Sequence, residues 1–480
     1  MDMKQVRSSK KYAYAALLLA MLALSSALVL HLYYQQGVYW DFITHYLYSK
    51  ALISGYFYTS LLNGTLPLAI QSENHFYLEP FRAPLMSVFL VPFDLVFAQN
   101  AIPSYLAFEV ILLLLSAIYL AKGMNANPMI VAPMLMVPYS MIYLTVLNGT
   151  EMLSLILAIF AIGLAVRGKW QSGVLIALAA MAKYSSLVFV LPILFMPKGT
   201  RWNALAAGFF TTMPWLAANY FIFGNPMFIY IDAIEQVFVA PPPSPTSVHA
   251  ALMISMSEVF YNLIPFMLLA VLLAALVYAK RRRLPKSVDY KYKITAAFCA
   301  VSLLAWFAFA VHGSVNTLPR WGYIVYAGTV PFLALLIYGL MHDVHKLYKS
   351  PLARNAIMYA SYSFIILAFF ALTFFAYAQM GSHPFGSYMG SDSPVLLNAV
   401  QHVRSLGLAN CSFISNAWPY LRLYGIRAHN PYYYNPTMYK YPILIFNSFI
   451  GTGNSVAEPS ISKTYSYSGF KIMVPENSTC

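Results

Sequence analysis

Ionisable side chains are scarce in this chain, and Asp41 is the one whose position most favours chemistry. It follows the first long apolar run by a few residues, and His45 comes four residues later. On a helix that spacing puts both side chains on one face. Asp41 is therefore a candidate catalytic base toward a hydroxyl group, with His45 as a candidate substrate-binding residue. The alternative is structural, because a carboxylate at a helix start stabilises unpaired backbone N–H groups.

Further carboxylates extend the set of candidate substrate-binding residues. Glu79 lies in the loop after Asp41, close to Arg82, which is also a candidate, although the two could simply pair with each other. Glu109 lies within an apolar run instead. An ionisable group at that depth is costly and usually faces a polar cavity.

Three basic residues complete the candidate set. Lys183 interrupts an apolar run, and His312 and Arg320 precede a later one. The planar fork of arginine and the point charge of lysine both suit phosphate oxygens, so these residues predict a cradle for a lipid-linked phosphate. The alternative, plausible above all for Arg320, is that the side chain extends to lipid headgroups at the interface.

The sequence shows no motif for nucleotide or zinc chemistry. A Walker-type loop, a His-Glu-x-x-His pair and a Gly-x-Ser-x-Gly elbow are all missing from it. Three cysteines make neither a zinc site nor a disulfide framework. We therefore expect no cofactor and no metal site.

The elements that must hold the candidate residues are membrane-spanning helices. Of 480 residues, 60% are hydrophobic and only 9% are charged, whereas soluble domains carry about 25% charged residues. Runs long enough to cross a hydrocarbon core of about 30 Å recur along the sequence. They predict an all-α polytopic membrane fold with about eleven spans. The spans are approximately 12–34, 103–121, 128–147, 150–166, 171–182, 184–197, 203–222, 258–279, 294–311, 322–340 and 355–378.

The distribution of basic residues predicts the orientation of the chain. The net charge is +14, but most lysines and arginines occupy short alternating loops, which is typical of membrane topology rather than of nucleic-acid binding. The N-terminus is therefore predicted to be cytoplasmic and the C-terminus extracytoplasmic. Four Asn-x-Ser/Thr sequons all fall outside in this arrangement. They are Asn63, Asn148, Asn410 and Asn477.

Two segments interrupt the simple pattern of spans. Residues 84–98 are apolar but short and contain Pro92 and Asp94, so we expect an interfacial or re-entrant helix. Residues 171–197 form either one tilted span or two short helices. A split at Lys183 keeps the alternation of basic loops and leaves Lys183 at the outer end of both helices.

The chain is predicted to divide into a transmembrane domain, residues 1–378, and a small extracytoplasmic α/β module, residues 379–480. The first outer loop of the membrane domain covers residues 35–102. In the module, Pro394–Leu406 has helical apolar spacing, and three short runs have the composition of strands. The runs are Cys411–Ser415, Pro442–Phe446 and Phe470–Val474. Cys411 and Cys480 could pair within the module, whereas Cys299 lies in a span.

These features resemble the GT-C superfamily of membrane glycosyltransferases, which includes protein O-mannosyltransferases and the aminoarabinose transferase of lipid A. The likeness covers roughly residues 35–380. It is carried by Asp41 to Gly55, Glu79-Pro80-Phe81-Arg82-Ala83-Pro84-Leu85, Gly173 to Lys183, and Pro214-Trp215 with Asn219 and Gly224-Asn225-Pro226. Two departures stand against it. Phe42 follows Asp41 where the mannosyltransferases typically show an acidic pair, and the chain has no Trp-Trp pair, which argues against transfer of whole oligosaccharides to asparagine.

The resemblance implies an inverting transfer of a monosaccharide from a polyprenyl-phosphate or dolichyl-phosphate donor to a hydroxyl acceptor on a lipid, glycan or protein. Asp41 would deprotonate the acceptor, and Lys183 and Arg320 would neutralise the departing phosphate. The expected partners are this donor, the acceptor and membrane lipids, with no nucleic acid. The sequence does not name the sugar, the lipid or the acceptor.

Two other functions stay open. A transporter or flippase of a lipid-linked or small polar substrate would explain Glu109, although the sequence shows no repeated halves with matching interrupted spans. A non-catalytic assembly subunit is the third possibility. The transferase hypothesis adds a geometric requirement, because Asp41, Lys183, His312 and Arg320 must then converge on one outward cavity that opens laterally to lipid. We expect Asp41 and at least one of Lys183 and Arg320 to share it.

Overall fold

The computed structural model describes residues 3–53, 83–136, 149–227, 248–281, 290–311, 322–380, 393–429, 441–446, 461–476 and 478. Within these ranges the chain is mostly helical and ends in a small sheet. The helices are α1 (Met3–Gln36), α2 (Trp40–Ile53), α3 (Leu85–Phe97), α4 (Ala101–Met124), α5 (Pro128–Leu135), α6 (Thr150–Ala165), α7 (Ser172–Ala182), α8 (Val190–Ile193), α9 (Lys198–Phe223), α10 (Val248–Arg281), α11 (Tyr290–Val311), α12 (Gly322–Leu347), α13 (Pro351–Met380), α14 (Pro394–Ser405) and α15 (Trp418–Leu423). The strands are β1 (Phe413–Ser415), β2 (Ala428–His429), β3 (Ile443–Phe446), β4 (Ile461–Tyr467) and β5 (Phe470–Pro475).

Within the described residues, six helical segments are long and apolar enough to cross a membrane. They are Tyr12–Gln35, Leu85–Met124, Tyr261–Lys280, Tyr290–Ala308, Gly322–Leu347 and Pro351–Ala378. Three shorter apolar helical segments accompany them, Thr150–Ala165, Ser172–Ala182 and Tyr184–Ile193. These helices agree with a polytopic membrane protein, whereas the predicted total of eleven spans is not confirmed.

The segment Leu85–Met124 is a helical hairpin of α3 and α4. The ring of Phe93 lies 5.4 Å from that of Tyr105 and 5.1 Å from that of Phe108. In one straight helix, Phe93 and Tyr105 would lie about 18 Å apart along the axis, because they are twelve residues apart in sequence. The chain reverses at Ala98, which has a φ of 45°. The predicted short helix over residues 84–98 therefore folds back along α4, which fits an interfacial or re-entrant position.

A second hairpin covers α7, the 3₁₀ helix Tyr184–Phe189 and α8, with Lys183 at its turn. The hydroxyl of Ser154 on α6 donates to the Ala179 carbonyl at 2.9 Å and also meets the Ser186 hydroxyl at 2.5 Å. Residues 179 and 186 therefore lie side by side, on either side of the turn. α7 ends at Ala182, and Lys183 has an extended backbone with φ −149° and ψ 115°. Of the two alternatives for residues 171–197, the structure therefore has the one with a break at Lys183.

The first and last long helices run in parallel. Tyr14 on α1 faces Tyr362 on α13, with ring centroids 6.5 Å apart, and further along His31 faces Tyr377 at 6.0 Å. Both helices therefore end at the same end of the bundle. From that end the chain continues into α2 after the first helix and into the C-terminal module after the last, and α15 of the module packs against α2.

Basic side chains gather at the opposite end of the bundle. The guanidinium of Arg167, just after α6, lies 4.4 Å from the centroid of the Tyr119 ring and donates to the Tyr119 carbonyl at 3.3 Å. Lys280, near the end of α10, lies over the ring of Tyr348 at 5.4 Å. The aromatic rings hold these cations where the helices end, as expected for loops on the untranslocated side.

The C-terminal module contains a five-stranded sheet in the order β2-β1-β3-β5-β4. β1 pairs in parallel with β2 and β3, whereas β5 is antiparallel to both β3 and β4. The predicted helix begins after Ser393, whose hydroxyl caps it through the Leu396 N–H, and Gly407 follows its end with a φ of +73°. Cys411 is disulfide-bonded and Cys299 is free. A disulfide favours an oxidising compartment for the module.

α7 and α9 approach closely through glycine. A Cβ atom on Gly173 would overlap the backbone carbonyl of Ala204 on α9, and one on Gly208 would lie 3.0 Å from the Gly173 carbonyl oxygen. Small residues let two helices pack backbone to backbone where apolar lipid gives little other driving force. This contact supports the hairpin that presents Lys183.

We predict that Gly173→Ala destabilises the folded protein by about 1–3 kcal/mol, because the Ala204 backbone cannot move aside as a side chain would. The measurement is the midpoint of thermal unfolding in detergent micelles. Gly199→Ala is the matched control, since a Cβ there meets nothing within 4 Å. Equal midpoints for the two variants would contradict the close approach.

Candidate functional site

Helix α2 carries the candidate base and is fixed on α3 by two side-chain contacts. The Nδ1 atom of His45 lies 2.9 Å from the Ser87 hydroxyl in a buried position. One residue on, the Tyr46 hydroxyl donates to Asp94 at 3.2 Å. Burial, and then the Asp94 carboxylate, raise the pKa of Tyr46 well above its usual value, so the hydroxyl keeps its proton and remains a donor. Asp41 lies in the first turn of this fixed helix and is half-buried.

The clearest electrostatic feature is an ion pair at the turn of the second hairpin. The Nζ atom of Lys183 lies 2.8 Å from Oε1 of Glu151, in the first turn of α6. The other carboxylate oxygen accepts a hydrogen bond from Thr150 at 2.5 Å. The Glu151 side chain is 1% exposed and that of Lys183 is 24% exposed. The lysine is therefore the partner that a ligand can reach, and the glutamate holds it in place.

The backbone at this turn is also paired. The N–H of Lys183 donates to the Ala179 carbonyl at 2.9 Å, and its carbonyl accepts from the Ser186 N–H at 2.9 Å. Irregular backbone inside an apolar bundle persists only where such groups are satisfied or line a cavity. The side chain of Lys183 is thus presented by a short, hydrogen-bonded break rather than by a loose loop.

A cluster of hydroxyl groups lies beside the ion pair. The Tyr323 hydroxyl, at the start of α12, lies 2.7 Å from that of Ser185 and 3.0 Å from that of Ser186. Ser186 in turn contacts Ser154 on α6. These contacts join the hairpin turn to α6 and α12.

Glu109 lies on α4, close to the same cluster. It is fully buried, and neither carboxylate oxygen has a hydrogen bond of acceptable geometry to any residue that the structure describes. The Glu109 carboxyl group interacts electrostatically with the Tyr105 hydroxyl, one turn earlier on α4, and with the Glu151 carboxylate. A charged carboxylate in such a position is costly, so Glu109 is the buried polar group that packing alone explains least.

The carboxylates of Glu109 and Glu151 lie at about the same depth in the bundle. α4 and α6 are parallel, because Tyr119 on α4 lies beside Phe160 on α6, and Gly123, one turn further along α4, approaches Gly163, one turn further along α6. From that level Glu109 is 14 residues back along α4 and Glu151 is 12 residues back along α6, or about 21 and 18 Å at 1.5 Å per residue. Lys183 shares this level through its ion pair. These three residues, Glu109, Glu151 and Lys183, therefore lie about 12 Å inside the bundle from the start of α4, rather than at its outer edge.

The residue after Asp41, Phe42, contacts residues close to Glu109 and Glu151. The ring of Phe42 makes an edge contact with Tyr105, with centroids 5.8 Å apart. A Cβ atom on Gly149, just before α6, would touch Phe42. The first turn of α2 thus packs on the same part of the bundle as the start of α6, which carries Glu151.

The structure brings some of the predicted site residues together and leaves others outside its described ranges. Lys183 and Glu109 are both close to Glu151, and Asp41 and His45 lie on the neighbouring α2. Glu79, Arg82, His312 and Arg320 lie outside the described residues, so the predicted convergence of all candidates on one cavity stays a prediction. Among the described residues no group of three or more metal-binding side chains occurs.

Sequence reasoning missed the partner of Lys183 and the hydroxyl cluster. Glu151 has a sufficient local reason to stand at the start of a helix, so nothing in its neighbourhood indicated an ion pair 32 residues away. The signal that could have found the cluster is Ser185-Ser186 directly after a cation in an apolar run, since hydroxyl groups there need partners.

Comparison with protein-family models finds no match to this chain, and comparison with curated proteins finds none either.

We predict that Lys183→Met lowers the free energy of unfolding by about 3 kcal/mol, because Glu151 would remain as a buried charge without a counter-ion. The double variant Lys183→Met/Glu151→Gln should recover much of that loss, since it removes both charges. Thermal unfolding of the two single variants and the double variant measures the coupling. Lys169→Met, at an exposed position, is the control, and a loss as large for Lys169→Met as for Lys183→Met would contradict this role.

Proposed function

We propose that this chain is a membrane glycosyltransferase that moves a monosaccharide from a polyprenyl-phosphate donor to a hydroxyl acceptor, with Asp41 as the base. The observation that carries the proposal is the packing of the first turn of α2 beside the Glu151–Lys183 pair. Both features lie toward the end of the bundle where the C-terminal module contacts α2. A carboxylate and an accessible cation at neighbouring positions suit the two ends of a displacement reaction.

The proposed role of Asp41 follows from its exposure. It is half-buried, whereas His45 on the same helix is 1% exposed and contacts Ser87. In the proposal Asp41 removes the proton from the acceptor hydroxyl, whose oxygen attacks the anomeric carbon from the face opposite the phosphate. The anomeric configuration is therefore inverted.

The proposed role of Lys183 is to stabilise the departing phosphate. An ammonium group has three donors, and one side of the amine faces Glu151 in the ion pair. The remaining donors can bind phosphate oxygens while the buried glutamate fixes the position of the amine. Arg320 stays the second proposed cation, and it lies outside the described residues.

A groove between α1 and α13 supports access from the lipid phase. Its volume is about 680 Å³, and its lining is largely apolar, with His31 and Tyr377 toward the ends of the two helices. Those ends lead into α2 and into the C-terminal module. In the proposal the prenyl chain of the donor lies along such a surface, so that its phosphate remains near the polar end.

The test of the proposal is transfer from a radiolabelled polyprenyl-phosphate sugar by purified protein in nanodiscs. Asp41→Asn should lower kcat by about 10²–10⁴-fold, because general-base catalysis contributes that much. Asp343→Asn, near the opposite end of α12, is the matched control and should transfer at the wild-type rate. Asp41→Asn activity near wild type, in folded protein, would remove Asp41 from the base role.

The second candidate function is a transporter or flippase of a lipid-linked or small polar substrate. Glu109 favours it, because an ionisable side chain buried within a membrane helix usually marks an ion or substrate pathway. The break at Lys183 favours it as well, because interrupted helices form binding sites in secondary transporters. The large C-terminal module fits capture of an acceptor better than it fits transport.

A flux measurement separates the two functions. Vesicles containing the purified protein are loaded with a fluorescent short-chain prenyl phosphate, and its movement between leaflets is followed by chemical quenching from outside. We expect movement no faster than in protein-free vesicles, and no change with Glu109→Gln. Fast movement that Glu109→Gln abolishes, without sugar transfer, would establish the transporter instead.

A further inference from the structure

In the hydroxyl cluster at the hairpin turn, the contacts determine which group donates and which group accepts in each hydrogen bond. Four contacts connect it in a row: Ser185 to Tyr323 at 2.7 Å, Tyr323 to Ser186 at 3.0 Å, Ser186 to Ser154 at 2.5 Å, and Ser154 to the Ala179 carbonyl at 2.9 Å. Each hydroxyl has one proton to donate, whereas the carbonyl can only accept. The row therefore contains four contacts and four protons.

Only one arrangement of protons makes all four hydrogen bonds. Ser154 must donate to Ala179, so it accepts from Ser186. The proton of Ser186 is then used, so Tyr323 donates to Ser186 and accepts from Ser185. The proton of Ser185 points inward along the row, and only its oxygen lone pairs remain for a further partner. Such a row also polarises its members in one direction, which strengthens the terminal acceptor.

Ser185 is the member of the row that lies nearest the surface. It is half-buried, whereas Ser154, Ser186 and Tyr323 are fully buried. It follows Lys183 by two residues in the same hairpin turn. The same turn therefore carries an obligatory donor, the Lys183 amine, and a group that is an obligatory acceptor, the Ser185 oxygen.

We propose that Ser185 accepts a hydrogen bond from a hydroxyl group of the ligand whose anionic oxygens are held at Lys183. The ligand class is then a sugar phosphate rather than a bare phosphate or an apolar lipid, because the turn needs both an anionic acceptor and a hydroxyl donor. This inference rests on the proposed transferase function and adds a specificity-determining residue to it. Tyr323, Ser186 and Ser154 act only through Ser185 and are positioning residues.

A purely structural role for the row makes a different prediction. If the hydroxyls only fasten the hairpin to α6 and α12, their removal lowers stability and affects every sugar donor equally. If Ser185 recognises a ligand hydroxyl, its removal affects only donors that carry that hydroxyl. The expected effect is about tenfold, which corresponds to about 1.4 kcal/mol and lies within the range for one neutral hydrogen bond.

The experiment uses the full chain in nanodiscs and short-chain prenyl phosphates that carry a panel of hexoses and pentoses. For the sugar that wild type transfers, kcat/KM is measured with the parent donor and with each monodeoxy analogue. We expect one position at which loss of the hydroxyl lowers kcat/KM about tenfold. Ser185→Ala should lower kcat/KM for the parent about tenfold and leave that one analogue unchanged. Ser185→Thr keeps the hydroxyl and should retain discrimination.

Tyr323→Phe supplies an independent readout of the row. It removes the acceptor of the Ser185 proton, so that Ser185 can turn its proton outward and no longer demands a donor. Discrimination at the sensitive position should therefore fall, while the thermal midpoint reports any loss of stability separately. If Ser185→Ala does not fold, Ser185→Cys serves in its place, because a thiol is a weak acceptor.

Two outcomes would overturn the inference, and they differ from failure of the proposed function. Ser185→Ala could leave kcat/KM unchanged, or it could lower the value for the parent and for every monodeoxy analogue by the same factor. Either result, with an active wild type, removes Ser185 from recognition and leaves the transferase function intact. Transfer of no sugar in the panel by wild type would overturn both together.

Discussion

A cation inside an apolar helical bundle needs a partner of opposite charge, and the pair of Lys183 with Glu151 meets this requirement. The desolvation of either charge alone costs several kcal/mol, and the partner at 2.8 Å offsets part of that cost. The pair also decides where the chain can turn. α7 is only 11 residues long, or about 16 Å, so the hairpin reverses inside the bundle at the level where Glu151 is available. The short helix, the break and the ion pair depend on one another.

The packing around α6 holds Glu151 in position for its ion pair with Lys183. Near its start, Gly149 has a φ of +63°, and the space where a Cβ would lie is taken by Met86 and Phe42. Near its other end, Gly163 lets α4 approach. α6 is therefore pressed between α2 and α3 near one end and α4 near the other, so that Glu151 cannot withdraw from Lys183 without disturbing several helices. The carboxylate is the fixed member of the pair, and the amine is the member that a ligand can contact.

The sequence was sufficient for the parts of the fold that depend on local composition. Apolar run length predicted the long helices, the interruption at Lys183 predicted the break, and Pro394 with Gly407 bounded the helix of the module. What it could not supply are contacts made across the fold. β2 and β4 were missed, because β2 has two residues and β4 alternates exposed polar residues, so both depend on pairing with a neighbouring strand. Glu151, Ser154 and Tyr323 were missed for the same reason, since each is ordinary in its own helix and acquires a role only beside the hairpin turn.

In the proposed reaction, the position of Asp41 limits how an acceptor can approach. α2 is held by α3 on one side through His45 and Tyr46, and α15 of the C-terminal module packs against it as well. A helix fixed in this way cannot swing its first turn toward a substrate, so an acceptor has to come to Asp41 rather than the reverse. The module that contacts α2 is then part of the wall that the acceptor must pass. The two halves of the proposed reaction thus depend on different parts of the chain, the acceptor on the packing of α15 against α2 and the leaving phosphate on the hairpin turn.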